Sequence, residues 1–319
     1  MLAQLYASLL FAAGITLPSI FLLLFGLFLR RSGQIDGAFC VQAARLMFNW
    51  ALPALLFFAI VDSQTDVRGQ WKLLAAGTVV TLILFVAAEI AARFWVKEKR
   101  DRGVFVQGIY RGNTAIIGLA FCANAYGAQG IAVGAVFAGS MTFLYNVLAV
   151  ITLSRSLNED KQHDIPALLW QIVKNPLIIA IVLALLCRAI GFRLPETLAQ
   201  SGHYLAATAL PLALICVGAT FDMKSMLRWH DLSLWTSLLR VTVAPATALA
   251  VGLAFGLNDV PFGVLFLMSA APVAAAAYVM VKAMGGNDVA AANVIGMTTF
   301  LSMISASLWV LLLHTIGLM

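Results

Sequence analysis

Five consecutive residues inside an apolar stretch, Tyr110-Arg111-Gly112-Asn113-Thr114, bring together a guanidinium, an amide and a hydroxyl. These groups can hold a carboxylate: arginine through two parallel N–H bonds, Asn and Thr by donating from the side. Gly112, and Gly118 shortly after it, let the backbone leave helical geometry. A second apolar stretch contains Ala270-Ala271-Pro272-Val273-Ala274, where Pro272 lacks the N–H that a helix needs. Half-helices starting at such breaks turn unpaired N–H groups and positive dipole ends toward a negative solute. Gly and Pro also kink packed membrane helices without binding anything. Against that reading, the two breaks fall at equivalent places in an internal repeat.

Other polar groups lie in apolar surroundings. Arg45, Arg111 and Arg240 sit seven to eight residues inside their stretches, a depth of ~10 to 12 Å at ~1.5 Å per residue. An intramembrane charge costs at least ~2.5 kcal/mol, so each needs a reason. Arg45 and Arg240 are read as snorkelling to the interface or pairing with Glu89. Arg111, beside the break, is read as attracting or binding an anion. With Gly112, Asn113, Thr114, Ala271, Pro272 and Asn146 it forms the candidate substrate site. Thr298 and Thr299 can line the cavity or hold a sodium ion through their oxygens, and Glu89 and His203 can relay protons. Amides and hydroxyls also bond neighbouring helices in a bilayer, and a structural hydrogen bond is the plainer role for His203.

The elements that must position these groups are membrane helices. Of the 319 residues, 62% are apolar and 11% charged, against about a quarter charged in an ordinary soluble domain. A water-soluble globule is excluded, and no stretch shows the alternation of an outer-membrane barrel strand. Apolar runs between charged or Gly/Pro-rich breaks give ten spans: 8–29, 38–61, 72–95, 104–125, 128–153, 172–190, 198–219, 232–256, 260–284 and 288–316. Cys40, Cys122, Cys187 and Cys216 lie far apart inside apolar runs, so neither a disulfide framework nor a metal site is indicated. No cofactor is expected beyond a coupling ion, H+ or Na+. The net charge of +6 reports topology rather than a nucleic-acid partner.

With the N-terminus outside, thirteen Lys and Arg residues fall on the cytoplasmic side and four, Arg68, Lys72, Arg188 and Arg193, on the other. That excess sets the orientation: an inner-membrane, multi-pass protein with both termini extracytoplasmic. The polar stretch 154–171 is read as a cytoplasmic linker dividing the spans five and five, between a first unit at 1–153 and a second at 172–319.

A shift of 158 residues puts Pro18 on Pro176 and Ala51-Leu52-Pro53 on Ala209-Leu210-Pro211. It also carries Asn113 and Thr114 onto Ala271 and Pro272. Since each unit has an odd number of spans, the second enters the membrane from the opposite face. Such inverted repeats, with broken helices meeting near the midplane, are a transporter's architecture.

Three patterns give the chain a resemblance to the auxin efflux carrier family. They are Asn49-Trp50-Ala51-Leu52-Pro53 in span 2, Asn113-Thr114 with Gly118 in span 4, and Ala271-Pro272 followed by Gly285-Gly286-Asn287-Asp288 and Thr298-Thr299. The family includes plant auxin exporters and bacterial permeases for malonate and malate. The resemblance implies an all-α fold of ten helices with crossed, broken helices 4 and 9, similar in architecture to bile-acid sodium symporters. By that likeness, spans 1, 2, 6 and 7 form a scaffold in which Pro53 and Pro211 are equivalent positions. Spans 3–5 and 8–10 form the transport domain.

The function expected is secondary transport of a small mono- or dicarboxylate by alternating access. An exporter of an auxin-like aromatic acid and an anion channel are the alternatives. An enzyme is disfavoured by the lack of H-E-x-x-H, G-x-S-x-G and P-loop motifs. The apolar scaffold faces suit a homodimer.

Overall fold

The computed structural model describes residues 2–62, 70–157, 174–192, 194–220 and 231–319. Most of the expected linker, 158–171, and the basic residues Arg68, Lys161, Arg193, Lys224 and Arg228 lie outside the described residues. The described chain is helical: α1 Leu2–Arg31, α2 Gly37–Val61, α3 Trp71–Trp95, α4 Lys99–Tyr110, α5 Thr114–Leu157, α6 Pro176–Ile190, α7 Glu196–Ala219, α8 Asp231–Ala254, α9 Asp259–Ala270, α10 Ala275–Ala283 and α11 Asp288–Thr315. No β-strand occurs among the described residues.

Seven of these helices, α1, α2, α3, α5, α7, α8 and α11, are long and apolar enough to cross a membrane. At ~1.5 Å per residue, about 20 residues span the hydrocarbon core. The apolar helices α6 and α9 are shorter. Two expected spans are interrupted: 104–125 is divided between α4 and the start of α5, and 260–284 between α9 and α10. Gly127, at φ 56° and ψ −139°, kinks α5 where the fourth span was expected to give way to the fifth.

Large apolar side chains cover the outside, among them Phe21, Phe28, Ile83, Ile90, Phe94 and Leu308. Lipid accepts such a surface, whereas water would drive it to aggregate. Lipid tails are as apolar as leucine, so the helices associate by close packing of small residues. Ala76, Ala132, Ala135, Ala184, Ala209, Ala213 and Ala306 are buried at such contacts. Main chain approaches main chain between α1 and α7, where a Cβ on Gly26 would run into the Ile215 carbonyl and one on Gly218 into that of Leu23.

Proline shapes α2. Pro53 offers no N–H and crowds the preceding turn, and residues Met47–Ala51 widen into a π turn in which the Leu52 N–H reaches back to the Met47 carbonyl. Pro211 lies within α7, and Pro18 within α1. Around this frame α1 packs on α7 and α11, α2 on α6 and α7, and α8 on α11, α9, α4 and α3.

Candidate functional site

α4 ends at Tyr110 and α9 at Ala270, and the residues beyond each run extended past one another. Gly112 and Val273 form an antiparallel bridge. The Asn113 N–H donates to the Pro272 carbonyl at 2.7 Å and the Ala274 N–H to the Arg111 carbonyl at 3.1 Å. The Val273 N–H finds the Thr298 hydroxyl at 3.2 Å. Backbone freed by the breaks is thus paired inside the protein, as an apolar setting requires. The sequence suggested unpaired N–H groups turned toward a solute; those of Asn113, Val273 and Ala274 are already engaged.

Both helices that stop here expose carbonyls and a negative dipole end, which a cation satisfies. Arg240 of α8, 1% exposed, supplies it. Its Nη1 donates to Ile109 at 2.8 Å, its Nε and Nη2 to Ala271 at 3.1 and 2.7 Å, and Nη2 also to Ser269 at 2.9 Å, all through main-chain oxygens. Arg240 therefore neither snorkels nor pairs with Glu89, because the paired breaks bring a set of carbonyls to the depth at which it sits. Gly112 makes room for it: a Cβ there would lie 2.5 Å from Arg240 Nη2.

Arg111, 4% exposed, is the first residue beyond α4 and adjoins the bridged Gly112. Its Nη2 donates to Asn146 Oδ1 at 2.7 Å and its Nη1 to Gln107 Oε1 at 3.0 Å, with Met280 Sδ at 2.9 Å. All three acceptors are neutral, and no carboxylate pairs with Arg111 or Arg240 among the described residues. Tyr110 and Tyr145 back the site, ring centroids 5.8 Å apart, with the Tyr110 hydroxyl donating to the Tyr145 carbonyl. Two buried, uncompensated guanidinium groups flank Gly112, a field that attracts anions strongly in a low dielectric.

A cleft separates α5 from α1, α2 and α7. Its inner part, about 280 Å³, is lined by Pro18, Ser19, Leu55, Ala120, Asn124 and Pro211, among others. Its outer part, about 810 Å³, shares Leu55, Ile131, Ala206 and Ala207 and adds Phe58, Asp62, Gln129 and His203. Asn124 donates to the Ile15 carbonyl at 2.8 Å across the inner end. The turn Thr114–Gly118, which begins α5 at the crossing, also packs against α7.

The sequence model of the membrane transport protein family, that of the auxin efflux carriers, matches residues 14–310. The chain belongs to this family. It is 23% identical over 308 residues to an uncharacterized transporter of Methanocaldococcus jannaschii, covering 92% of this chain and 96% of that one. A similar match, 22% over 294 residues, is to an uncharacterized transporter of Methanothermobacter thermautotrophicus, covering 90% and 94%.

In this membrane transporter the candidate residues divide into groups. Arg111, Gly112, Asn113, Thr114, Asn146, Ala271, Pro272 and Thr298 gather at or beside the crossing. Thr299 bonds the Ile295 carbonyl of its own helix. Gly118 closes the first turn of α5, its N–H on the Asn113 carbonyl. His203 is at the outer cleft, its Nε2 3.4 Å from Asp62 Oδ2 and its ring against Phe58. Glu89 lines a separate hollow between α3, α4 and α5. Two contributors, Gln107 and Met280, are not among the sequence candidates, and Arg240 was expected in a different role. Gln107 had a signal, since four residues before Arg111 puts it on the same helix face.

Proposed function

We propose that the protein is a secondary carrier for a small organic anion, a mono- or dicarboxylate of the malonate or malate kind. The observation that carries this reading is the Arg111 guanidinium, buried beside the crossing with only neutral acceptors at Asn146, Gln107 and Met280. A carboxylate can exchange for those neutral partners and gain a charge-assisted, bidentate pair.

In this reading the protein has ten spans in two inverted repeats, with α4 and the start of α5 as the fourth span and α9 with α10 as the ninth. The antiparallel bridge between Gly112 and Val273 supports it, since equivalent breaks in opposed repeats meet head to tail. Spans 1, 2, 6 and 7 act as scaffold, the rest moves, and cargo enters through the cleft between them. Both termini lie outside the inner membrane. The ion coupled is H+ or Na+. Since Arg240 occupies the carbonyls that end α4 and α9, sodium would draw on Thr298, Thr299 and neighbouring oxygens. The largely apolar cleft wall, with Leu22, Leu55, Ile131 and Leu214, favours as a second reading an acid with an aromatic body.

Uptake of labelled malonate, malate and an indole acid into proteoliposomes, with and without sodium and at two pH values, tests this. Saturable uptake that Arg111→Ala abolishes while the variant still inserts is the expected result. Unchanged uptake by the variant removes Arg111 from the site, and unitary currents would make the protein a channel. The scaffold faces pair two copies, for which crosslinking in native membranes should give a dimer band.

A further inference from the structure

Arg102 lies nine residues before Arg111 on α4, about 13 Å along the axis. There α3, α4 and α5 enclose a cavity of about 210 Å³ lined by Glu89, Arg93, Arg102, Thr152, Arg155 and Ser156, with Ala92 and Val106. Three guanidinium groups meet one carboxylate, an excess of two positive charges. No ion pair joins Glu89 to any of them among the described residues. Arg102, in the cavity wall, places its Nε on the Val96 carbonyl at 3.0 Å, and its terminal nitrogens have no hydrogen-bond partner among the described residues. Glu89 Oε1 is buried with no hydrogen-bond partner. Thr152 is buried in the wall, and the Ser156 hydroxyl is turned onto the Leu153 carbonyl.

Three arginines lining one cavity, with two surplus charges, suit a tetrahedral oxyanion better than a single carboxylate, because each arginine can take its own oxygen. The outer surface leads to the same place. Ile83, Val86, Ile90 and Phe94 form an exposed strip along α3, with Trp95 at its end and Ile151 on α5. An apolar strip ending in a basic hollow at the edge of the membrane matches chains and headgroup of an acidic lipid.

We propose that this cavity binds a phosphate group, brought by an anionic phospholipid headgroup or as free phosphate from the aqueous side. The site is separate from the crossing and stands whether or not the carrier reading holds.

Native mass spectrometry of the full-length protein in detergent tests it, with phosphatidylglycerol, phosphatidylcholine and inorganic phosphate offered in turn. Wild type should retain phosphatidylglycerol over phosphatidylcholine, or take up phosphate, and an Arg93→Gln/Arg155→Gln variant should lose about tenfold in affinity for the same probe. Retained lipid that millimolar phosphate fails to displace assigns the headgroup, and displacement assigns the free anion. Equal binding by wild type and variant overturns the proposal. Should the double variant fail to fold, Glu89→Gln decides. Removing the one carboxylate should tighten binding several-fold, and unchanged or weaker binding overturns it.

Discussion

Arg240 reaches the main-chain carbonyl of Ala271 with two nitrogens, Nε at 3.1 Å and Nη2 at 2.7 Å. The same side chain holds Ile109 and Ser269, so one guanidinium fastens the ends of two helices that the sequence keeps far apart. Arg240→Met leaves three buried carbonyls without that partner, at about 1–3 kcal/mol each. The variant should unfold at a lower temperature in detergent and lose uptake. Arg240→Lys, which cannot fork, should fall between it and wild type. An unchanged unfolding temperature for the Met variant would contradict this role.

Asn146→Asp probes the neighbouring guanidinium. The neutral acceptor 2.7 Å from Arg111 Nη2 becomes a carboxylate, which pairs with the arginine in place of cargo. Anion uptake should fall at least about tenfold while thermal stability holds or rises. Full uptake would mean that cargo never replaces Asn146 at Arg111.

Gly112→Ala sets a methyl 2.5 Å from Arg240 Nη2 and 3.2 Å from the Met268 carbonyl. The expected cost is about 1–3 kcal/mol, as for other overpacked sites. Lowered thermal stability, with uptake reduced in step, is the measurement; a variant as stable as wild type would show that the guanidinium can move aside.

Ala207 borders both parts of the cleft. Ala207→Trp fills the passage without touching the crossing, so uptake should be blocked while the unfolding temperature stays within a few degrees of wild type. Uptake at the wild-type rate would send cargo along another path.

The break at Pro272 was legible in the sequence because proline acts on its own backbone, wherever the rest of the chain lies; Gly112 marked the other break, although its φ is not positive and the glycine serves there as space for Arg240. Arg111 was legible as a charge beside a break. Arg240 was misread because its depth was measured along an intact span, and nothing local to residues 231–254 records that two other helices end against it. The Asn146 partner and the Thr298 bond to Val273 depend on packing between segments far apart in sequence, beyond any local pattern. The apolar runs announced membrane helices plainly, whereas the interruption of two of them rested on single residues.

Gly26 and Gly218 fix what can slide and what cannot. Each puts a hydrogen where a methyl would meet opposing main chain, so a slip by one residue would drive Phe25 or Leu27, Val217 or Ala219 into that same narrow gap. α1 and α7 therefore behave as a single stiff spar. In the proposed carrier, sliding of the remaining helices past this spar would run along the seams of α1 with α5 and α11 and of α2 with α5, and the cleft already parts the surfaces on the α5 side.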